Sequence, residues 1–513
     1  MSPVLDLFDC LDEAPGRRAE QPFLRTPGGR ELTYGSLRQE SGRFIAAMRR
    51  RGVMPGDRVA VQVDKSTDAV LLYVACLRMG AVFVPINVAN TPNEVEYFLR
   101  DSQPRLLICR PADRVRLEPL TGLAAVPHLE TLGADADGSL FELARQSDSA
   151  PAGPPAGTAG ALAAIVYTSG TTGRSKGAML TRGNLSSNAV VLAQAWRFTA
   201  GDVLLHTLPL FHVHGLFAAI NTVLAAGAGL LLLPKFDAPA VLAHLPEATV
   251  YMGVPTHYTR LLLEPGLTRE RAARMRLFIS GSAPLLADAQ QEFLTRTGHA
   301  ILERYGMTET LMNTSNPYDG SRVPGSVGPP LPGVSVRVSR GVDGEDAGAE
   351  AEAIGTLEVK GPNVFAGYWR DPEKTRGEFT ADGWFKTGDL GRIDVDGYVT
   401  IVGRAKDLVI SGGYNVYPKE VETELDAVPG VLESAVFGVP HSDFGEGVTA
   451  AVVMRPGVHV SEAQIIAALK KRLAAYKIPK RIVVVAELPR NTMGKVQKNA
   501  LRAAYASLYR GAD

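Results

Sequence analysis

The chain has 513 residues, of which 54 are basic and 54 acidic, and 45% are hydrophobic. This length exceeds what one hydrophobic core usually organises, so two or more domains are expected. The balanced charge provides no basic surface for nucleic acid or for an anionic membrane, and we expect neither as a partner.

Helix and strand patterns alternate in the first part of the chain. The periodicity predicts a helix over residues 34–52, a strand over 58–62, a helix over 66–80 and a strand over 81–84. Further strands of the same rhythm are predicted over residues 105–109, 163–168, 230–234, 249–253 and 277–280. Such alternation is typical of parallel sheets covered by helices. The Ala-, Gly-, Pro- and Ser-rich residues 134–160 are expected to form a surface connection.

The sequence pattern changes after residue 325. Short strands separated by Gly, Pro and Asp are predicted over residues 334–338, 355–359 and 397–402, and they indicate a smaller β-rich subdomain. A polar segment at 403–407 then precedes a final stretch of α+β character. The predicted fold class is therefore α/β, with a domain boundary at this polar segment.

Cysteine usage and the apolar segments restrict the compartment. Cys10, Cys76 and Cys109 are far apart and form no CxxC pair, which argues against disulfides or a zinc site. The first nine residues lack the basic and apolar regions of a secretory signal, and the apolar residues 223–234 are too few to span a membrane. We expect a cytoplasmic protein.

A loop rich in glycine and hydroxyl side chains follows the strand at 163–167. It consists of Thr168, Ser169, Gly170, Thr171, Thr172 and Gly173, and Lys176 comes shortly after. Glycines let backbone N–H groups approach an anion, hydroxyls add donors, and the lysine supplies charge. We interpret the segment as a phosphate site rather than a flexible surface loop. It does not match GxxxxGK[ST], so P-loop chemistry does not follow.

This loop resembles that of the acyl-adenylate-forming superfamily, which includes acyl-CoA synthetases, adenylation domains of peptide synthetases and beetle luciferases. The family usually has proline where this chain has Ser175, a departure that leaves the donors intact. Further motifs in the family's order extend the resemblance from about Leu32 to Leu501. The resemblance implies an enzyme that uses ATP and Mg²⁺ to convert an acid to its acyl-adenylate and then transfers the acyl group to coenzyme A.

The segment from Glu303 to Glu309 resembles the superfamily's adenine and magnesium motif. The resemblance implies that Thr308 contacts the α-phosphate and that Glu309 holds Mg²⁺, whereas a Thr-Glu pair alone is more typical of a helix start. Adenylation adds a carboxylate to a phosphorus already surrounded by negative charge, so a hard cation and donors are required. The further nucleotide contacts that it implies are Ser282, Ala283, Glu303, Arg304, Tyr305, Asp389 at the ribose hydroxyls, and Arg404.

The C-terminal part resembles the superfamily's mobile catalytic domain. Residues 489–495 have the Pro-x-Asn-x-x-Gly-Lys pattern, which implies that Lys495 reaches the carboxylate and α-phosphate oxygens. An isolated lysine in a basic tail is more often exposed and without a role. The resemblance makes Lys406 a hinge residue and places Gly412 and Gly413 along the pantetheine passage of coenzyme A. It divides the chain into an N-terminal ATP- and acid-binding domain (1–403), a hinge (404–407) and a mobile C-terminal catalytic domain (408–513).

Arg276 stands out among the mostly apolar segments expected to line the acid pocket. On a strand it shares a face with Ser280, and a buried arginine is costly without an anion. Its partner is either a second carboxylate of the substrate or a protein acid such as Glu303. His212 is either a donor to that carboxylate or a packed neutral side chain.

The blocks at residues 206–209, 275–285 and 312–318 resemble bacterial malonyl-CoA synthetases. That resemblance implies that Arg276 grips the distal carboxylate of malonate, or of methylmalonate, and His212 and Ser280 are further candidates for this contact. Three other hypotheses stay open: an acyl-CoA synthetase for another short acid, an enzyme that loads a carrier protein, and an inactive nucleotide-binding regulator. The sequence leaves a homo-oligomeric state open as well.

Overall fold

The computed structural model describes residue 7 and residues 19–150, 159–168, 175–340, 345–346, 353–411, 414–441, 443–491 and 494–509. The strands are, in chain order, β1 Pro22–Arg25, β2 Glu31–Thr33, β3 Arg58–Gln62, β4 Val82–Pro85, β5 Leu106–Cys109, β6 His128–Thr131, β7 Leu162–Thr168, β8 Lys176–Thr181, β9 Val203–His206, β10 Gly229–Leu232, β11 Val250–Gly253, β12 Leu277–Ser280, β13 Leu302–Met307, β14 Leu311–Ser315, β15 Ser335–Arg340, β16 Glu345–Asp346, β17 Gly355–Lys360, β18 Phe385–Ile393, β19 Val399–Arg404, β20 Val409–Ser411, β21 Tyr414–Val416, β22 Val431–His441, β23 Gly445–Met454 and β24 Arg481–Val484.

The α-helices are α1 Tyr34–Arg50, α2 Thr67–Met79, α3 Pro92–Ser102, α4 Arg114–Leu123, α5 Ser139–Arg145, α6 Arg182–Ala195, α7 Asn221–Ala226, α8 Ala238–His244, α9 Pro255–Leu262, α10 Ala287–Thr297, α11 Pro372–Gly377, α12 Pro418–Asp426, α13 Glu462–Leu469 and α14 Lys498–Ala504. A π-helical segment, His214–Ile220, leads into α7. None of the helices in the described ranges is long and apolar enough to cross a membrane.

Two large sheets form the first part of the molecule. One has the order β14-β13-β12-β11-β9-β10-β1-β2 and the other the order β6-β5-β3-β4-β7-β8. Pairing is parallel in the interior of both sheets, and only the outermost pairs β13–β14, β1–β2 and β7–β8 are antiparallel. The predicted helix-covered parallel sheets are confirmed.

Helix α2 illustrates why the sequence folds this way. The Ser66 side chain caps its first turn by accepting from the Ala69 backbone N–H, and Gly80 ends it with a φ of 78°. All residues between them are buried, which explains why the segment is apolar on every side. The connection predicted over residues 134–160 is wrong in part, because α5 lies within it and buries Leu140 and Ala144.

Two smaller sheets follow. Strands β16-β15-β17-β18-β19 form an antiparallel sheet, which confirms the β-rich subdomain. Strands β21-β20-β23-β22 form the sheet of the C-terminal part, with β24 parallel to β23 and helices α12, α13 and α14 in the same region. The segment predicted as the hinge is a single 3₁₀ turn, Ala405–Asp407, between β19 and β20.

Candidate active site

The carboxyl ends of four neighbouring strands bring the site together. Met252 of β11 lies beside His206 of β9, Gly253 of β11 lies beside Ser280 of β12, and Ser280 lies beside Glu303 of β13. Ligands of open parallel sheets bind at this edge, because the loops that leave the strands diverge there. Side chains of the loops that follow these strands can therefore contact one substrate.

The base of the predicted phosphate loop is an antiparallel hairpin. Thr168 at the end of β7 pairs with Lys176 at the start of β8, so residues 169–175 connect the two strands. Ser169, Gly170, Thr171, Thr172 and Gly173 lie outside the described residues. The Lys176 ammonium lies 5.5 Å from the centre of the Tyr368 ring. Partial burial, and then the charge of Lys374, lower the pKa of Lys176.

Thr308 and Glu309 lie in the turn between β13 and β14, not at a helix start. Glu309 is 6% exposed, and its Oε1 accepts a hydrogen bond of 3.0 Å from the Tyr368 hydroxyl. Burial is the main cause that raises the pKa of Glu309. The Lys176, Tyr368 and Glu309 side chains therefore form one cluster at the phosphate end of the site.

Glu309 fits the role of a magnesium ligand. Its carboxylate is a hard oxygen donor that accepts a hydrogen bond from Tyr368, and the charge of Arg404 acts on it from a distance. The same ranges contain no group of three His, Cys, Asp or Glu residues arranged for a metal ion. Mg²⁺ commonly binds to one or two carboxylates together with substrate phosphates and water, so a single glutamate is sufficient. The bound ion would neutralise phosphate charge during adenylation.

Asp389 is held between two strands. Its Oδ2 accepts a 2.5 Å hydrogen bond from the Tyr305 hydroxyl, and its Oδ1 accepts a 2.6 Å bond from Arg404 Nε. Asp389 and Arg404 are direct cross-strand partners on β18 and β19. A carboxylate accepts about four hydrogen bonds, so lone pairs remain for two ribose hydroxyls. The nucleotide roles of these three residues stay predictions.

Lys495 lies close to this group. Burial lowers its pKa to about 8, although part of the side chain remains exposed, and the charges of Arg404 and Asp389 act on it next. The preceding Gly494 lies against α9, where a Cβ at this position would come within 2.8 Å of Thr256 Oγ1. The C-terminal part therefore presents Lys495 to the strand ends. Lys406, the predicted hinge residue, has its pKa lowered mainly by burial.

Arg304 on β13 is a buried cation. It is 3% exposed, and its Nε and Nη2 have no hydrogen-bond partner among the described residues. Burial lowers the pKa of this guanidinium to about 9, which leaves it charged at neutral pH. The group lies over Gly281, where a Cβ would be 2.4 Å from Arg304 Cζ. Such an uncompensated cation indicates a site for an anion.

Other polar groups near these strand ends lack partners as well. Ser280 Oγ and His214 Nε2 are buried without a hydrogen bond among the described residues. His214 Nδ1 lies 3.3 Å from Ser282 Oγ, and Ser282 has a φ of 72°, a strained backbone of the kind found at binding sites. Burial lowers the pKa of His212 to about 4, so this histidine is neutral, and its Nδ1 accepts from the His214 N–H.

Glu303 supports the loop that carries these residues. Its carboxylate accepts hydrogen bonds of 3.4 Å from the backbone N–H groups of Leu285 and Gly325, and burial raises its pKa to about 7. Ala283 belongs to the same loop.

The predicted substrate role of Arg276 is wrong. Arg276 precedes β12, at the amino end of the strand, whereas the site lies at its carboxyl end. Its Nε and Nη2 donate to the two carboxylate oxygens of Asp202 at 2.7 and 2.8 Å. The other donors bond the carbonyl oxygens of Trp196 and Arg197. A protein acid is indeed the partner, but it is Asp202 and not Glu303.

The sequence predicts no role for two residues of the site, Tyr368 and His214. Tyr368 is 59 positions from Glu309, and His214 is 68 positions from Ser282. His214 lies in a segment expected to line the acid pocket, and its own role is not predicted. The predicted passage residues Gly412 and Gly413 lie outside the described part of the chain.

Comparison with known proteins agrees with this geometry. A family model described as "AMP-binding enzyme" matches residues 11–369, and one described as "AMP-binding enzyme C-terminal domain" matches residues 420–495. The chain belongs to the AMP-binding enzyme family.

A mitochondrial malonate–CoA ligase of Mus musculus is 37% identical over 483 residues, 88% of this chain and 82% of that protein. A feruloyl-CoA synthase of an Amycolatopsis species is 36% identical over 96% of this chain and 99% of that protein.

The chain is also similar to solved structures. ATP-bound MatB from Rhodopseudomonas palustris superimposes with a TM-score of 0.95 at 53% sequence identity, over 98% of this chain and 99% of that chain. The apo form of MatB gives a TM-score of 0.85. The arrangement of this member of the AMP-binding family is thus closer to the ATP-bound form, in agreement with the position of Lys495.

Proposed function

We propose that this protein is a malonate–CoA ligase that converts malonate, ATP and coenzyme A to malonyl-CoA, AMP and pyrophosphate. The carboxylate that reacts attacks the α-phosphorus and releases pyrophosphate. The thiol of coenzyme A then attacks the acyl carbonyl and releases AMP. Methylmalonate is the other substrate that we propose.

The observation that carries the choice of acid is the buried guanidinium of Arg304. A monocarboxylic acid would leave this buried cation unpaired, whereas a dicarboxylic acid brings a second anion to it. Two N–H groups of Arg304 are free in the described part of the chain, which suits bidentate pairing with a carboxylate. His214 supplies a further unsatisfied polar atom near Arg304. Relatives named malonate–CoA ligase support the same substrate.

The remaining groups support adenylation at the other end of the pocket. We assign Glu309 to Mg²⁺, Thr308 and Lys495 to the α-phosphate and the reacting carboxylate, and the loop that ends at Lys176 to the departing pyrophosphate. Asp389 and Arg404 are assigned to the nucleotide. These cationic and polar groups neutralise the charge that accumulates on phosphorus during the attack.

A panel of acids tests the proposal. Purified protein is given ATP, Mg²⁺ and one acid at a time, and acid-dependent formation of AMP and pyrophosphate is measured with malonate, methylmalonate, acetate, benzoate and octanoate. We expect the highest kcat/KM with malonate. A preference for any of the monocarboxylic acids would contradict the assignment.

The thiol acceptor needs a separate measurement. Free coenzyme A is expected to yield malonyl-CoA, whereas a carrier-loading enzyme would transfer the acyl group only to a phosphopantetheine-bearing protein. The absence of pyrophosphate release with every acid would instead support a nucleotide-binding regulator.

We further infer that residues 404–407 act as a hinge, about which residues 408–513 move between adenylation and thioester formation. A cytoplasmic location is proposed on the basis of the buried free thiols of Cys76 and Cys109, which suit a reducing compartment. Size-exclusion chromatography coupled to light scattering would determine whether the protein forms a homo-oligomer.

A further inference from the structure

Helix α3 contacts both strands at the base of the predicted phosphate loop. The hydroxyl of Tyr167, on β7, donates to Asp101 Oδ2 of this helix at 2.6 Å. The hydroxyl of Tyr97, one turn earlier on α3, donates to the carbonyl oxygen of Ser175 at 2.8 Å. Ser175 immediately precedes Lys176, the first residue of β8. The helix therefore holds the chain on both sides of the loop.

The hydrogen bond from Tyr97 fixes the peptide that leads into Lys176. The Ser175 carbonyl and the Lys176 N–H belong to one planar peptide unit, so a bond to the carbonyl orients both groups. A separation of 2.8 Å is that of a well-formed O–H···O hydrogen bond. Because Lys176 also pairs with Thr168 on β7, the direction in which its side chain leaves the strand is determined at this point.

The Tyr97 ring is held in turn by its neighbours. Its centroid lies 6.3 Å from that of Tyr167 with the planes at 70°, an edge-to-face contact. Both rings pack against the buried cluster that contains Phe98 and Ile165. The hydroxyl of Tyr97 therefore has little freedom to turn away from the Ser175 carbonyl, which is the property of a support for a functional side chain.

Position 175 is where the chain departs from the superfamily that it resembles, which usually has proline there. A proline ring fixes φ near −65°, whereas serine leaves this rotation free. We propose that Tyr97 is a positioning residue for Lys176. Its hydroxyl holds the peptide between Ser175 and Lys176 in the orientation that phosphate binding requires, and it supplies through a tertiary contact the restraint that proline would supply locally. This inference rests on the proposed function, because it takes this loop as the pyrophosphate site.

The test measures malonate-dependent exchange of pyrophosphate into ATP with full-length protein and no thiol. Tyr97→Phe keeps the ring and removes the hydroxyl. We expect it to raise the KM for pyrophosphate about fivefold, the effect of one hydrogen bond, and to leave the KM for malonate unchanged. Tyr398→Phe is the matched control, because it removes a hydroxyl that donates to the Ser321 carbonyl at 3.0 Å. It should alter neither KM.

A proline at position 175 tests the second part of the proposal. Ser175→Pro alone should keep the wild-type KM for pyrophosphate. Adding Tyr97→Phe to it should change that KM less than about twofold, because the two restraints then replace each other. The proposal is overturned by an unchanged KM for pyrophosphate in Tyr97→Phe, by equal increases for pyrophosphate and malonate, or by a fivefold effect that persists beside proline. The two KM values of Tyr97→Phe decide on their own if Ser175→Pro does not fold.

Failure of the proposed function is distinguishable from failure of this inference. Wild-type protein would then show no malonate-dependent exchange. Calorimetric titration with ATP and Mg²⁺ in the absence of any acid tests Tyr97 in that case. Tyr97→Phe should bind ATP about fivefold more weakly than wild type and Tyr398→Phe, and equal affinities would overturn the positioning role.

Discussion

Replacing Arg304 by methionine should separate substrate recognition from stability. Methionine keeps much of the volume of the side chain and removes its charge. Two charge-assisted hydrogen bonds to a carboxylate contribute roughly 3–6 kcal/mol. We therefore expect kcat/KM for malonate to fall about 100-fold or more, while butyrate, which lacks the second carboxylate, becomes a better substrate than it is for wild type.

The same substitution should stabilise the free protein. Burial lowers the pKa of Arg304 from the ordinary value of a guanidinium to about 9, which corresponds to at most about 5 kcal/mol against the charged form. This cost applies in full below pH 9, where the folded protein carries the charge. It shrinks as the pH rises above 9, because folded Arg304 loses its proton while the unfolded chain keeps it. Denaturant unfolding at pH 7 and at pH 10 should therefore show a gain that is larger at pH 7.

Arg276→Met is the matched control. It removes the arginine that pairs with Asp202, and the Asp202 side chain is almost completely buried. Because the substitution leaves a buried carboxylate without its partner, we expect the free energy of unfolding to fall by about 3 kcal/mol and the preference for malonate to stay unchanged. The reasoning is refuted if Arg304→Met retains malonate kcat/KM within about threefold of wild type, or if only Arg276→Met alters the choice of acid.

Three further outcomes follow from the site. Gly281→Ala places a Cβ 2.4 Å from Arg304 Cζ, so the KM for malonate should rise at least tenfold, with little change in the KM for ATP. Lys495 has a pKa of about 8, so kcat/KM for ATP in pyrophosphate exchange should fall as the pH rises through 8 and the ammonium is lost. Lys495→Ala should abolish both the exchange and this pH dependence. It should spare thioester formation from supplied malonyl-adenylate. Tyr368→Phe removes the 3.0 Å hydrogen bond to Glu309, so the Mg²⁺ concentration for half-maximal rate should change severalfold, and an unchanged Mg²⁺ titration would argue against that positioning role.

Much of the fold follows from local sequence patterns. The strands predicted over residues 58–62 and 277–280 have those bounds in the structure, because continuous apolar runs between helices are typical of buried parallel strands. The helix predicted over 66–80 is confirmed between its two caps. In contrast, α5 is short and amphipathic, and the surrounding Ala, Gly, Pro and Ser residues obscured it.

The substrate residue illustrates the limit of such patterns. Arg276 and Ser280 are four positions apart in an extended segment, so their side chains point to the same face, and the prediction used only this property. Four residues of extended chain amount to about 13 Å, so the two side chains can share a face and still lie at opposite ends of the sheet. Arg304 is on the neighbouring strand, and its lack of a partner becomes visible only when the packed surroundings are known.

The two ends of strand β12 therefore have different roles, one in stability and the other in the proposed recognition of the acid. Its amino end carries the pair of Arg276 and Asp202, which ties the strand to the segment before β9. Its carboxyl end leads into Gly281, which lies against Arg304 at the proposed acid site. Effects of substitutions at sites this far apart and without shared partners usually add. A protein built in this way can explore new acids at one end of a strand while the other end maintains its folding, so the pocket is a place where new specificity can evolve at little structural risk.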